Sequence, residues 1–300
     1  MFPTFQKFSV RGVAAAACMV AGAFAAPAMA LPVVGLTTTN ALVTFDSATP
    51  TAGSALMNIT GLQMANERIL SIDIRPTTGL LYGVSSSSNV YSLSMSGAAS
   101  YVGTLSAPLM GSAVGLDFNP AADLSGAASL RVISSSGQNY AFNVNTGATT
   151  VATPIAAGLS SVAYSNNDTN PGTATSLYYI DTASDTLKVA TTGFNNPTIT
   201  TVGSLGMDVN GVSGFDITVG NMAYAAFTDA DTGKSGLYTV DLSTGATMMV
   251  GAFGIGGNTA IAPPLAGLAV SPVPEPGTYA LMAGGLLAVG FFARRRQGSK

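Results

Sequence analysis

Between Ser71 and Leu105 the apolar and polar positions fall into four short runs separated by turn residues. Ser71–Arg75 is largely apolar and stops at Pro76, which has no N–H to give to a ladder. Thr77-Thr78-Gly79 turns the chain, Leu80–Val84 forms a second run, and Ser85–Asn89 is polar. Val90–Met95 alternates apolar with polar, as a half-buried strand does. Ser96-Gly97 turns again, and Ala99–Leu105 closes the unit. Four antiparallel strands in about 35 residues are one propeller blade.

The unit recurs. Its opening strand returns as Gly115–Pro120 (GLDFNP), Ser161–Tyr164, Gly214–Ile217 (GFDI) and Gly267–Pro272 (GLAVSP). With Asp73, Asp117, Ala163, Asp216 and Ala269 as anchors, the spacings are 44, 46, 53 and 53 residues. The third strand returns as Tyr140–Val144, Leu187–Ala190 and Leu237–Asp241. The turn after it returns as Thr146-Gly147, Thr192-Gly193 and Thr244-Gly245.

The last copy stops after its first strand, and the missing three stand at the other end of the body. Val33–Thr37 resembles Leu81–Ser85, Ala41–Asp46 resembles Val90–Met95, and Ala55–Ile59 takes the fourth place. The pattern therefore predicts an all-β fold, a β-propeller of five blades. One blade is shared, with an inner strand from Gly267–Pro272 and outer strands from Val33–Ile59. Such closure leaves no open end to the array. The competing reading is a β-sandwich with chance similarity among its strands. Helix signals are nearly absent. Asn166–Thr175 and Gly254–Pro264 read as long irregular loops, and Gly61–Ile69 as the link from the first blade to the next.

The ends divide the chain into residues 1–30, 31–272 and 273–300. Lys7 and Arg11 precede an uncharged apolar run, Val13–Phe24, and Ala28-Met29-Ala30 is an A-x-A cleavage site. This predicts a secretory signal peptide and a mature chain starting at Leu31. A lipoprotein signal cut before Cys18 is the alternative, but it needs a large aliphatic residue where Ala15 stands. Cys18, the only cysteine, leaves with the signal. At the other end, Pro274-Glu275-Pro276 is followed by 16 residues without charge, Thr278–Ala293, and then Arg294-Arg295-Arg296. Sixteen helical residues span about 24 Å, a little short of a ~30 Å hydrocarbon core. The arginines hold their end in the cytoplasm, so the body faces away from it.

This tail resembles the PEP-CTERM sorting signal of Gram-negative bacteria. The resemblance implies processing by an exosortase-type membrane enzyme. It further implies transient anchoring in the inner membrane, release to the envelope surface or outside, and association with exopolysaccharide and biofilm. The body, over roughly Val33–Ala269, resembles a bacterial domain-of-unknown-function family, number 4394. The matching pieces are VGLT at 34–37, IDIRP at 72–76, LYG at 81–83, GLDFNP at 115–120, AYSNN at 163–167 and LYYID at 177–181. It implies a secreted propeller-like body, and the family has no activity to carry over. The sequence departs from that pattern at Ala127–Leu130.

The chemistry available is narrow. The chain has no histidine, which excludes a Ser-His-Asp triad, a His-ligated zinc and a histidine base. Leu31–Val273 holds 12 Asp and one Glu against three Arg and two Lys, a net charge of −8. An acidic body without a basic patch is a poor partner for nucleic acid. Any acid–base pair must come from the aspartates and Glu67. Asp73, Asp117 and Asp216 recur at one place in the repeat. Paired carboxylates are what a glycosidase uses, but an Asp repeated near a strand end is the mark of a turn cap. Arg75 is a candidate ion-pair partner or orienter of an anionic ligand. Asn166 and Asn167 are candidate sugar contacts or turn formers. Asp229–Gly233 starts like a calcium loop but lacks its closing Glu, so it reads as a β-turn. No cofactor and no metal is expected. Two functions follow: a non-enzymatic envelope or matrix protein whose propeller binds exopolysaccharide or matrix protein, and a polysaccharide hydrolase working with two of the aspartates.

Overall fold

The computed structural model describes residues 30–168, 170 and 172–271. Ala28 of the predicted cleavage site, the tail residues Pro274, Glu275, Pro276, Arg294, Arg295 and Arg296, and the predicted helix 278–293 lie outside the described residues.

Five four-stranded antiparallel sheets surround one axis, as the repeat predicts. Blade 2 is built, from the axis outward, of Ile69–Ile74, Leu81–Ser85, Asn89–Leu93 and Ala99–Thr104. Blade 3 is Val114–Phe118, Ser129–Ser134, Asn139–Asn143 and Thr149–Val151. Blade 4 is Leu159–Tyr164, Leu177–Asp181, Thr186–Ala190 and Thr200–Ser204. Blade 5 is Gly214–Ile217, Ala223–Thr228, Ser235–Val240 and Thr247–Ala252.

Blade 1 is the composite. Its inner strand is Leu265–Val270, followed outward by Pro32–Thr37, Ala41–Asp46 and Met57–Asn58. Val33 lies opposite Val270 and Leu36 opposite Gly267, antiparallel. The two ends of the body are thus hydrogen-bonded into one sheet, and the inner strands pack on one another right round the ring.

The core is divided as the architecture demands. Successive residues of a strand face opposite sides of its sheet, so each blade feeds the interface on either side. Val34, Leu36 and Leu42 of blade 1 pack with Ile72, Leu81 and Tyr91 of blade 2. Tyr82 and Val84 meet Leu116 and Phe118 of blade 3. Ile133 meets Val162, Tyr164 and Tyr179 of blade 4. Ile180 and Leu187 meet Phe215 and Phe227 of blade 5. Tyr224 and Leu237 close the circle on Val43, Phe45 and Leu268.

The glycines of the recurring motif permit this approach. A Cβ on Gly115 would come within 2.8 Å of the Val162 nitrogen, and one on Gly214 within 2.5 Å of the Leu268 nitrogen. The inner strand of each of these blades therefore lies against the backbone of the next.

Three elements differ from the sequence reading. A short helix, Pro120–Leu124, interrupts blade 3. Asn119 caps it, its Oδ1 accepting from the Ala122 N–H at 3.0 Å, and Pro120 sits at the first helical position, where a missing N–H costs nothing. The supposed loop Gly254–Pro264 contains a two-stranded hairpin, Gly254–Ile255 with Ala260–Ile261. The fourth strand of blade 1 is two residues long where five were expected.

Candidate functional site

Asp73, Asp117 and Asp216 stand at one position on the inner strands of blades 2, 3 and 5. The ring brings them together at its axis. All three are buried, at 2%, 0% and 1% exposure, and one carboxylate oxygen from each lies within 4.8 Å of the others. Blades 1 and 4 carry Ala269 and Ala163 at the same position.

What the carboxylates do follows from strand geometry. An inner strand has a neighbour on one side only, so its axial edge presents unpaired N–H and C=O groups. One residue after each anchor stands Ile74, Phe118, Tyr164, Ile217 or Val270. All five of these amides donate to an aspartate. Asp73 accepts from its own neighbour Ile74 at 2.7 Å and, across the blade boundary, from Phe118 at 2.7 Å. Asp117 accepts from Tyr164 of the next blade at 3.1 Å. Asp216 accepts from Ile217 at 2.6 Å and from Val270 of blade 1 at 2.5 Å. The expectation that the repeated Asp caps a turn is therefore corrected. The side chain reaches into the next inner strand and ties blade to blade. Each backbone hydrogen bond contributes about 0.5–1.5 kcal/mol, so the five together are a substantial fastening. It occupies five of the six carboxylate oxygens. The sixth, Oδ2 of Asp117, is buried and meets no donor.

Burial pushes all three carboxyls toward the protonated form. Asp73 is held well above the carboxylate range by desolvation and then by Asp216. Asp117 is held there by desolvation, then by Asp73 and Asp216. Asp216 is pushed up to about 7 by desolvation, against which its two backbone N–H bonds act.

The other predicted residues are not part of this cluster. Arg75 pairs through Nε with Asp123 Oδ1 at 2.6 Å, and its second nitrogen donates to Asn145 at 3.1 Å. Asp123 also accepts from the N–H and hydroxyl of Thr77, so this pair ties blade 2 to the short helix of blade 3. Asn166 takes φ +51° and exchanges two hydrogen bonds with Asn221, at 2.7 and 2.6 Å, joining loops of blades 4 and 5. Asn167 is buried. Glu67 is also structural. Ser85, Asn89, Tyr91 and the Met64 N–H all donate to it. Asp229 accepts from both the N–H and the hydroxyl of Thr232, which makes the predicted turn.

A groove that the motifs did not single out opens between blades 3 and 4. It encloses about 610 Å³, lined among others by Asn119, Arg131, Asn143, Phe194, Asn195 and Asn196. Arg131 is 3% exposed and has no carboxylate partner among the described residues. Its guanidinium donates to Asn139 at 2.8 Å, to Asn195 at 2.9 Å and to the Tyr164 hydroxyl at 3.3 Å, which fixes the groove wall. Amide side chains beside a half-buried ring are suited to hydroxyl-rich ligands. Nothing in the sequence marks Phe194, Asn195 and Asn196, and only the fold sets them against Asn119 and Arg131.

The family described as Domain of unknown function (DUF4394) matches residues 41–262, and the PEP-CTERM protein-sorting motif matches residues 272–296. Among solved structures, a structural-genomics protein of unknown function from Bacteroides thetaiotaomicron VPI-5482 is 13% identical with a TM-score of 0.48, over 81% of this chain and 67% of that one. A protein from Lactobacillus plantarum is 16% identical with a TM-score of 0.42, over 79% and 70%. No curated protein matches the chain.

Proposed function

From the premise that the chain belongs to the DUF4394 family and carries a PEP-CTERM sorting motif, we propose that it is an exosortase substrate exported to the cell envelope or extracellular matrix. There its propeller binds exopolysaccharide without catalysis. The observation that carries this reading is the sorting motif, matched over 272–296, which begins where the last inner strand of the ring ends. The binding role rests on the groove between blades 3 and 4. With a net charge of −8 over Leu31–Val273, the body favours a neutral, hydroxyl-rich polymer over an anionic one.

The hydrolase reading draws on the convergence of Asp73, Asp117 and Asp216. Convergence alone does not support it. Glycosidase carboxylates flank a substrate and admit water, whereas these are sealed from solvent and committed to backbone amides. None of the three lines the groove.

The sorting test compares two hosts, one with exosortase and one without. In the first, intact-mass measurement should find the body outside the inner membrane and lacking residues 278–300. In the second, it should find the protein in the inner membrane with its C-terminus whole. The same uncut C-terminus in both hosts would reduce the tail to an ordinary anchor. The binding half is tested on an array of neutral polysaccharides, where Phe194→Ala with Asn195→Ala should weaken retention about fivefold or more, given ~1–3 kcal/mol for a lost ring contact and its polar neighbour. Unchanged retention would move the binding face elsewhere.

A further inference from the structure

We propose that the axis of the ring is a binding site for one divalent cation, of the calcium type, held by Asp73, Asp117 and Asp216. Two observations carry this. The first is the cluster itself, three side chains from three blades with one oxygen each within a 4.8 Å circle. The second is Oδ2 of Asp117. Asp117 is fully buried, its Oδ1 is engaged by the Tyr164 N–H, and its Oδ2 meets no donor. The titratable groups that bear on this residue are Asp73 and Asp216. A buried carboxylate oxygen without a partner is costly, and a cation among the three would supply one.

The donor set defines the ion. All candidate ligands are oxygens, with no nitrogen or sulfur, which selects a hard cation. Calcium takes oxygens at about 2.3–2.6 Å, so two of its ligands stand up to about 5 Å apart, and magnesium, at about 2.0–2.1 Å, allows only about 4 Å. The unpaired axial edges of the inner strands also present backbone carbonyls, the other ligand class calcium uses. The backbone amides do not preclude the ion, because a carboxylate oxygen engaged by one N–H keeps a second lone pair.

Access is restricted. At one end of the axis a cavity of about 110 Å³ is lined by Thr37, Asn40, Arg68, Ser112, Ser213 and Ala266, among others. The positive rim residue Arg68 opposes free entry, so the ion is taken up as the ring closes and exchanges slowly once inside.

The test therefore refolds the full-length chain from denaturant with Ca2+ or with EDTA. Protein refolded with Ca2+ and then desalted should carry about one calcium per chain by elemental analysis. It should melt roughly 5–10 °C above the EDTA form at about 100-fold excess of Ca2+ over Kd. Asp117→Asn keeps an acceptor for Tyr164 and replaces the unpartnered oxygen with an amide. It should fold, retain no calcium and melt alike in both buffers. Equal melts and no retained calcium for the parent would overturn the site, as would calcium retention by Asp117→Asn. Should that variant not fold, a crystal of the parent grown with Ca2+ decides. An anomalous peak bonded to Asp73, Asp117 and Asp216 upholds the proposal, and its absence at the axis ends it.

Discussion

At the scale of single residues, the sequence shows where a group stands in the repeat but not what it meets. The recurrence of Asp73, Asp117 and Asp216 is legible because the repeat puts them in register. Their partners are not, because Phe118 is 45 residues from Asp73 and Val270 is 54 from Asp216. Local reasoning therefore sees a turn cap where the fold makes a bond between blades. Glu67 is a similar case. It is the only glutamate of the body, and nothing in its neighbours announces that Ser85, Asn89 and Tyr91 will surround it. Burial alone would raise its pKa, but the hydrogen bonds from Ser85, Met64, Tyr91 and Asn89 outweigh it and hold the carboxyl below its ordinary value. The sign of the consequence is fixed. As pH falls, the unfolded chain takes up the proton first, near pH ~4.3. The stabilisation is thus complete above that value and is lost as pH drops through the folded one. Glu67→Gln sets an amide donor among four donors. It should cost about 1–3 kcal/mol near neutral pH, and its denaturation midpoint should fall less steeply than the parent's under acid. A variant with the parent's full acid slope would remove Glu67 from this account.

At the scale of elements, periodicity serves well where one face is buried and poorly where it is not. The inner and middle strands stand within a residue or two of their predicted limits, since their alternation reflects the two interfaces each blade must fill. The short strand Met57–Asn58 and the hairpin Gly254–Ile255 with Ala260–Ile261 bury little, and their sequences carry no strong alternation. The helix Pro120–Leu124 did leave a signal, Asn119-Pro120, which reads equally well as the end of a strand. The closing strands are the element on which the ring depends. Deleting 33–45 would remove Val33, Val34, Leu36, Leu42, Val43 and Phe45 from two interfaces. At about 1.5–3 kcal/mol for each buried side chain, the loss is roughly 9–18 kcal/mol, as large as the whole stability of a domain, about 5–15 kcal/mol. The shortened chain should show no cooperative thermal transition. A cooperative melt within a few degrees of the parent would mean that the other four blades stand without the composite one.

At the scale of the whole molecule, the account rests on a ring fastened twice, by the shared blade at its circumference and by three aspartates at its axis. The sorting motif at 272–296 is legible because targeting machinery reads short linear motifs, which need no fold. The groove between blades 3 and 4 is not legible, because its walls come from separate blades that only the closed ring makes adjacent. The axial fastening is the claim most open to direct measurement. Ile74, Phe118, Tyr164, Ile217 and Val270 lie on strand edges with no neighbouring strand on the axial side, and amides in that position ordinarily exchange with solvent through small local openings. Hydrogen exchange followed residue by residue should instead show these five amides protected to the full free energy of global unfolding, with the denaturant dependence of the whole transition. Fast exchange of the five, or exchange with a slope much smaller than the global one, would show that the aspartates do not hold the ring.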